Sequence, residues 1–277
     1  MKIEYHCDGT YNNIELISLL NKENIKIIDV NGHSFVFDIF SDTPQCDTIL
    51  RCVQKDERPI IIKTAIFSKE EMQKAEWYTL QATRTVMGTK NEDFTYSFLC
   101  RYPEPNPFNK HHHKTQINPF VSNKIPKWKV NFNFCCADTG DFELIFCSDH
   151  AKNILIGNDI KGIEFMPVLK GDLSTPRENV QELVIPSILP SDALILYRDY
   201  KKEICPFCGQ VDIVFKDLNM DNLRVKKEKI PQGIDAFRTE ITFGPGFGYQ
   251  EIIISKKLYN LLAQEMKEKH ITCFPVG

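Results

Sequence analysis

Short runs of β-branched and aromatic residues alternate along this chain with stretches of helical apolar spacing, and the same arrangement occurs twice. Late in the sequence Glu251-Ile252-Ile253-Ile254 has the composition of a buried strand. Ser255 then offers a hydroxyl where a helix would begin, and Leu258, Leu261, Leu262 and Met266 follow at helical spacing as one apolar stripe. The pattern predicts a helix ending near His270 and a strand over 271–276, with Pro275 suited to a sheet edge or strand end. An earlier stretch repeats the plan. Glu143-Leu144-Ile145-Phe146 reads as strand, Ser148 as cap, a helix passes through Ile154-Leu155, and Gly162-Ile163-Glu164-Phe165 resumes as strand. Ser148 and Ser255 are accordingly read as helix caps, not nucleophiles.

The two stretches agree in register over a longer span. Cys100 answers Cys205, Lys124-Ile125-Pro126 answers Lys229-Ile230-Pro231, Ser148 answers Ser255, and Pro167 answers Pro275, at separations of 105, 105, 107 and 108 residues. Four landmarks kept in order, with a drift that loop insertions explain, are the mark of an internal duplication. The expected fold class is α+β. Residues 1–66 form an N-terminal α/β segment, 67–170 a first repeat module and 171–277 a second, with the strands of the two modules joining or facing one another.

In the N-terminal segment, Ile14, Leu16, Ile17, Leu19 and Leu20 predict a short helix. Ile25 to Val30, the Asn31-Gly32 turn and His33 to Phe40 predict a β-hairpin. Ser68 and Glu71 make a capping box for a helix containing Met72 and Ala75. Trp77-Tyr78-Thr79-Leu80 then turns to strand composition and opens the first repeat, with Val180 to Ile185 as its counterpart in the second.

Composition changes this picture little. At 42% hydrophobic and 26% charged residues the chain is an ordinary globular one, and a net charge of −3 gives no electrostatic reason to expect nucleic acid as a partner. No apolar run approaches the ~20 residues of a membrane helix, and the first residues lack a signal peptide's apolar core, so the expected location is cytoplasmic with no membrane partner. Ten cysteines, three of them (Cys135, Cys136, Cys147) inside apolar runs, read as reduced and buried.

The repeats diverge between their landmarks, and candidate chemistry lies there. Cys205-Pro206-Phe207-Cys208-Gly209 is a CxxCG knuckle, half of a zinc ribbon: two thiolates face one cation and the glycine relieves the turn. Tetrahedral zinc needs two more ligands, and the chain has no second CxxC. The first repeat keeps Cys100 but has Pro103 where the second cysteine should stand. Three readings stay open: zinc held by Cys205, Cys208, Cys100 and a fourth group; a relic without metal, the working expectation being no cofactor; or a redox dithiol, disfavoured because strand rather than helix follows the knuckle. His111-His112-His113 lies in a polar, proline-bearing loop over 103–120 and is read as solvated, since adjacent histidines on an extended loop point apart. Phe243-Gly244-Pro245-Gly246-Phe247-Gly248-Tyr249 lacks the Gly-Lys-Ser/Thr ending of a phosphate loop and reads instead as a turn displaying Phe247 and Tyr249, candidate anchors for a protein partner.

These motifs resemble a bacterial family. The double-CxxCG proteins proposed as immunity proteins of polymorphic toxin systems carry two knuckles, each followed by a strand, a serine-started helix and a closing aromatic-Pro-Val. The likeness covers about residues 67–276 and departs at Pro103, where the first knuckle is degenerate. The resemblance implies a non-enzymatic cytoplasmic protein that neutralises a cognate toxin by occluding it. No nucleophile elbow, HExxH helix or dinucleotide fingerprint argues for an enzyme. An enzyme with an unrecognised site and a zinc-knuckle structural or nucleic-acid-binding adaptor are the alternatives.

Overall fold

The computed structural model describes residues 2–56, 61–88, 91–99, 113–122, 124–137, 144–196, 200–215, 223–243 and 249–276. The fold is α+β and mainly β, in several small sheets. Among the described residues, one compact unit is built from residues within 1–74 and the other from residues within 75–216 and 223–277.

The first unit holds strands β1 (Lys2–Thr10), β2 (Ile27–Asp29), β3 (Ser34–Phe40) and β4 (Ile61–Ile66) in the order β2-β3-β1-β4. Helices α1 (Ile14–Lys22) and α2 (Cys46–Val53) cover it, and the core joins Leu16, Leu20, Phe35, Phe37, Ile39 and Ile49. Asn13 caps α1 by accepting from the Leu16 amide, and Asn31 fixes the hairpin turn by accepting from the His33 and Ser34 amides. The capping box of α3 (Lys69–Lys74) forms reciprocally: Ser68 N–H donates to Glu71, and Glu71 N–H to Ser68 Oγ.

The second unit is organised by two five-stranded sheets. The strands that build these sheets and the site, in chain order, are β5 (Trp77–Thr79), β6 (Thr85–Met87), β7 (Tyr96–Phe98), β8 (Lys114–Gln116), β9 (Phe134–Ala137), β10 (Ile145–Cys147), β11 (Glu164–Leu169), β12 (Pro176–Val184), β13 (Ile188–Leu189), β14 (Tyr200–Ile204), β15 (Val211–Phe215), β16 (Ala236–Thr239), β17 (Thr242–Phe243), β18 (Ile252–Ser255) and β19 (Pro275–Val276). Helix α4 (Asp149–Gly157) follows β10, and α5 (Lys256–Asn260) follows β18.

One sheet runs β11-β12-β10-β9-β6 and the other β19-β5-β18-β16-β13. Position by position the pairings correspond: the last pair in each order is parallel and the others antiparallel. The correspondence holds to the residue. Phe146 pairs with Glu182 as Ile253 pairs with Thr79; Pro167 pairs with Gln181 as Pro275 pairs with Tyr78. Val168 and Val276 each lie in the core of their own sheet, the first with Phe120, Phe146 and Val180, the second with Phe237, Phe243 and Ile253.

The second strand of each sheet comes from the opposite repeat. β5, at the start of the first repeat, completes the second sheet; β12, at the start of the second, completes the first. The exchange is reciprocal elsewhere too. Ser148 Oγ donates to Asn133 Oδ1 while capping Ala151 N, and Ser255 Oγ donates to Asp235 Oδ1 while capping Leu258 N. The segment after each helix then docks on the other repeat: Lys161 N–H donates to Asp235, and Glu268 accepts from Asn133.

Both helices end on a residue in the left-handed region, Asp159 (φ 50) and Lys267 (φ 51). The second helix therefore stops near Met266, short of His270, after a π-turn over Leu261–Glu265 in which Met266 N–H reaches Leu261 O. Two short strands, Ile271–Thr272 and β19, replace the single strand expected over 271–276. Gly162 has φ +82, and a Cβ there would lie 2.5 Å from Ala236 O. Gly162→Ala is thus expected to cost about 3 kcal/mol or more in denaturant unfolding; a variant as stable as the parent would show that this inter-repeat approach is not tight.

Candidate metal centre

The ribbon carrying the knuckle is the sheet β14-β15-β17. β14 and β15 pair antiparallel, Ile204 opposite Val211, and the CxxCG turn joins them. Gly209 N–H donates to Cys205 O and Cys205 N–H to Gln210 O. Gly209 sits at φ +76, a conformation a side chain would strain, which is why glycine closes the knuckle.

The first repeat supplies a third candidate donor. β7 and β8 form an antiparallel pair, and at its end Leu99 N–H donates to His113 O. This places the His113 ring, 4% exposed, against the knuckle. His113 Nδ1 is 3.1 Å from Cys208 Sγ, and the ligand atoms of His113, Cys205 and Cys208 all lie within 4.8 Å of one another. Ligand atoms of a tetrahedral zinc with two Zn–S bonds and one Zn–N bond stand about 3.6 Å apart, so small side-chain adjustments suffice to close a shell here.

The other face of the ring decides its tautomer. His113 Nε2 lies 3.1 Å from both carboxylate oxygens of Asp212, which is 2% exposed. Thr242 Oγ1 donates to Asp212 Oδ1 across the parallel β15–β17 pair. A carboxylate on Nε2 keeps the proton there and turns the Nδ1 lone pair toward the thiols, the arrangement that orients histidine ligands at zinc sites. The described donor set is two thiols and one imidazole, a combination suited to zinc.

Of the residues singled out in the sequence, Cys205 and Cys208 meet at this centre. Cys100 lies outside the described residues, as do Pro103, His111 and His112. The solvated-loop reading of the histidine triplet does not hold at His113, which is buried at the start of a strand. Sequence reading missed its role because 95 residues separate it from Cys208. The usable signal was a knuckle two ligands short in a chain with a histidine cluster near the degenerate counterpart. Phe247 also lies outside the described residues. Tyr249 is half-buried, packs against Phe243 at 6.2 Å between ring centroids, and hydrogen-bonds the carboxyl of Glu251. Burial pushes Glu251 up to about 7 despite that bond. No disulfide joins the described cysteines; burial raises Cys7, Cys147 and Cys273 to about 12, which makes them inert packing residues.

Neither models of known protein families nor curated proteins match this chain. Among the described residues no helix is long and apolar enough to cross a membrane.

Proposed function

We propose that this chain is a non-enzymatic cytoplasmic binding protein that neutralises a cognate bacterial toxin by covering it, and that a zinc-stapled ribbon is its docking element. The observation that carries the binding reading is the ribbon's tip. Ile204, Phe207 and Val211 are 67%, 47% and 38% exposed in and beside the knuckle turn that carries Cys205 and Cys208. A metal at the His113, Cys205 and Cys208 cluster would hold the turn in one conformation, and a rigid apolar tip loses little freedom on docking. The toxin as partner rests on the family resemblance; the ribbon as contact rests on this geometry.

Cells producing the toxin encoded beside this gene are the test. The wild-type protein should rescue them and co-purify with the toxin. Replacing both Ile204 and Phe207 with Asp should abolish rescue and weaken binding by about a hundredfold or more, with zinc content unchanged. Undiminished protection by that double variant would remove the ribbon from the interface. Full toxicity beside the wild-type protein would remove the immunity role.

A further inference from the structure

A second feature departs from the internal symmetry. Between the two sheets lies a cavity of about 300 Å³, whose polar walls include Tyr96, Lys114, Gln116, Glu182, Arg238 and Gln250. Its charged core is fixed in place. Glu182 is 2% exposed, and its Oε2 accepts from Gln116 Nε2 at 2.8 Å. The Phe120 amide donates to the same carboxyl. Arg238 is anchored by donating from Nε to Ile185 O at 2.8 Å, and Lys114 Nζ sits 4.2 Å from the centre of the Tyr96 ring.

The duplication shows that the fold does not need these charges. Glu182 pairs with Phe146 where the other sheet pairs Thr79 with Ile253, and Arg238 pairs with Ile252 where the other sheet pairs Cys136 with Ile145. Thr79 is as buried as Glu182, and its hydroxyl simply accepts from Phe274 N. A carboxyl and a guanidinium thus replace two uncharged residues at the wall of one cavity. Buried ionisable groups cost stability, and their concentration in a cleft marks a site.

We propose that this cavity binds a small organic carboxylate, paired to Arg238 and hydrogen-bonded to the carboxyl of Glu182. Among the described lining residues Arg238 brings a guanidinium beside the Glu182 carboxyl, and a guanidinium pairs best with a planar carboxylate, so an anion is the favoured guest. The volume lies at the small end of ligand sites, room for an aromatic or branched aliphatic acid. Burial raises Glu182 to about 7 against the lowering effects of Gln116, Phe120 N–H and Arg238, so it is largely protonated on the acid side of neutrality and can donate to the guest. A carboxylate guest raises it further, and binding takes up a proton.

Titration of the intact protein with benzoate, followed by calorimetry and by the methyl resonances of Met166 and Ile117, tests this. Saturable one-to-one binding is expected, stronger at about pH 6 than at about pH 8. Arg238→Met should weaken it by about tenfold or more, while Arg238→Lys, which keeps the charge, should lose less. Glu182→Gln should keep the affinity seen at the lower pH and abolish the pH dependence. Benzylamine and benzamide should fail to compete. Absence of saturable benzoate binding, or equal binding of benzylamine, would overturn the proposal, as would full affinity in a folded Arg238→Met variant.

Discussion

Protein purified without a histidine tag is expected to carry one zinc per chain and to lose it when Cys205 or Cys208 is replaced by serine. Structural zinc stabilises the folded state by mass action, about 4 kcal/mol when free metal stands roughly a thousandfold above its dissociation constant. For a unit of this size that is about 10 °C in Tm, so chelation should lower the transition by about that much and added zinc should restore it. Asp212→Asn separates ligand from orienter. It leaves the described Cys205, Cys208 and His113 donors intact but removes the negative charge on Nε2, so affinity should fall about 10- to 100-fold without abolishing metal. Cys100→Ser examines the fourth donor named from the sequence. Wild-type protein holding less than about 0.3 zinc per chain would instead favour the relic.

The second large effect is a stability profile that falls toward alkaline pH. Glu182 and Glu251 are both buried, and each is raised from its ordinary 4.5 to about 7. A carboxyl raised in the folded state binds its proton more tightly folded than unfolded. Its stabilisation is complete below about pH 4.5 and is lost as pH rises through about 7. A shift of that size corresponds to about 3 kcal/mol for each group. Glu251→Gln keeps an acceptor for the Tyr249 hydroxyl and carries no charge. It should match the wild type in denaturant unfolding near pH 4 and exceed it by roughly that amount near pH 8. Comparing the two proteins at one pH cancels any change in zinc occupancy. Equal stability at the higher pH would show that Glu251 ionises without penalty, contrary to its burial.

The elements were legible where a local rule set them. Ser148 and Ser255 cap helices because their hydroxyls satisfy amides three residues on, a demand visible in any sequence. Ile252 to Ile254 form a strand because three β-branched residues suit a position buried on both faces. The duplication was visible for the same reason: Pro167 and Pro275 occupy equivalent ladder positions and face equivalent demands. The partner of each strand was not legible. Trp77–Thr79 carries the composition of a strand but nothing that says which sheet it completes, and the choice is settled only by packing against Ile253 and Val276. The helical segment that starts after Ser255 stops short of His270 because Lys267 adopts the left-handed conformation without being glycine or asparagine, which no sequence rule signals. At the metal centre the knuckle could be read from spacing, whereas His113 could not, because its approach depends on the β7–β8 pair of the other repeat.

The crossing of β5 into the later sheet also sets the order in which a nascent chain can finish. Trp77–Thr79 leaves the ribosome well before the strands on either side of it, Ile252–Ser255 and Pro275–Val276, have been made. Synthesis that stops short leaves this segment with an open ladder and the Tyr78 ring without its stack on Tyr259. A product terminated before those strands thus displays an open strand edge to cellular proteases, while the longer chain closes it with strands distant in sequence.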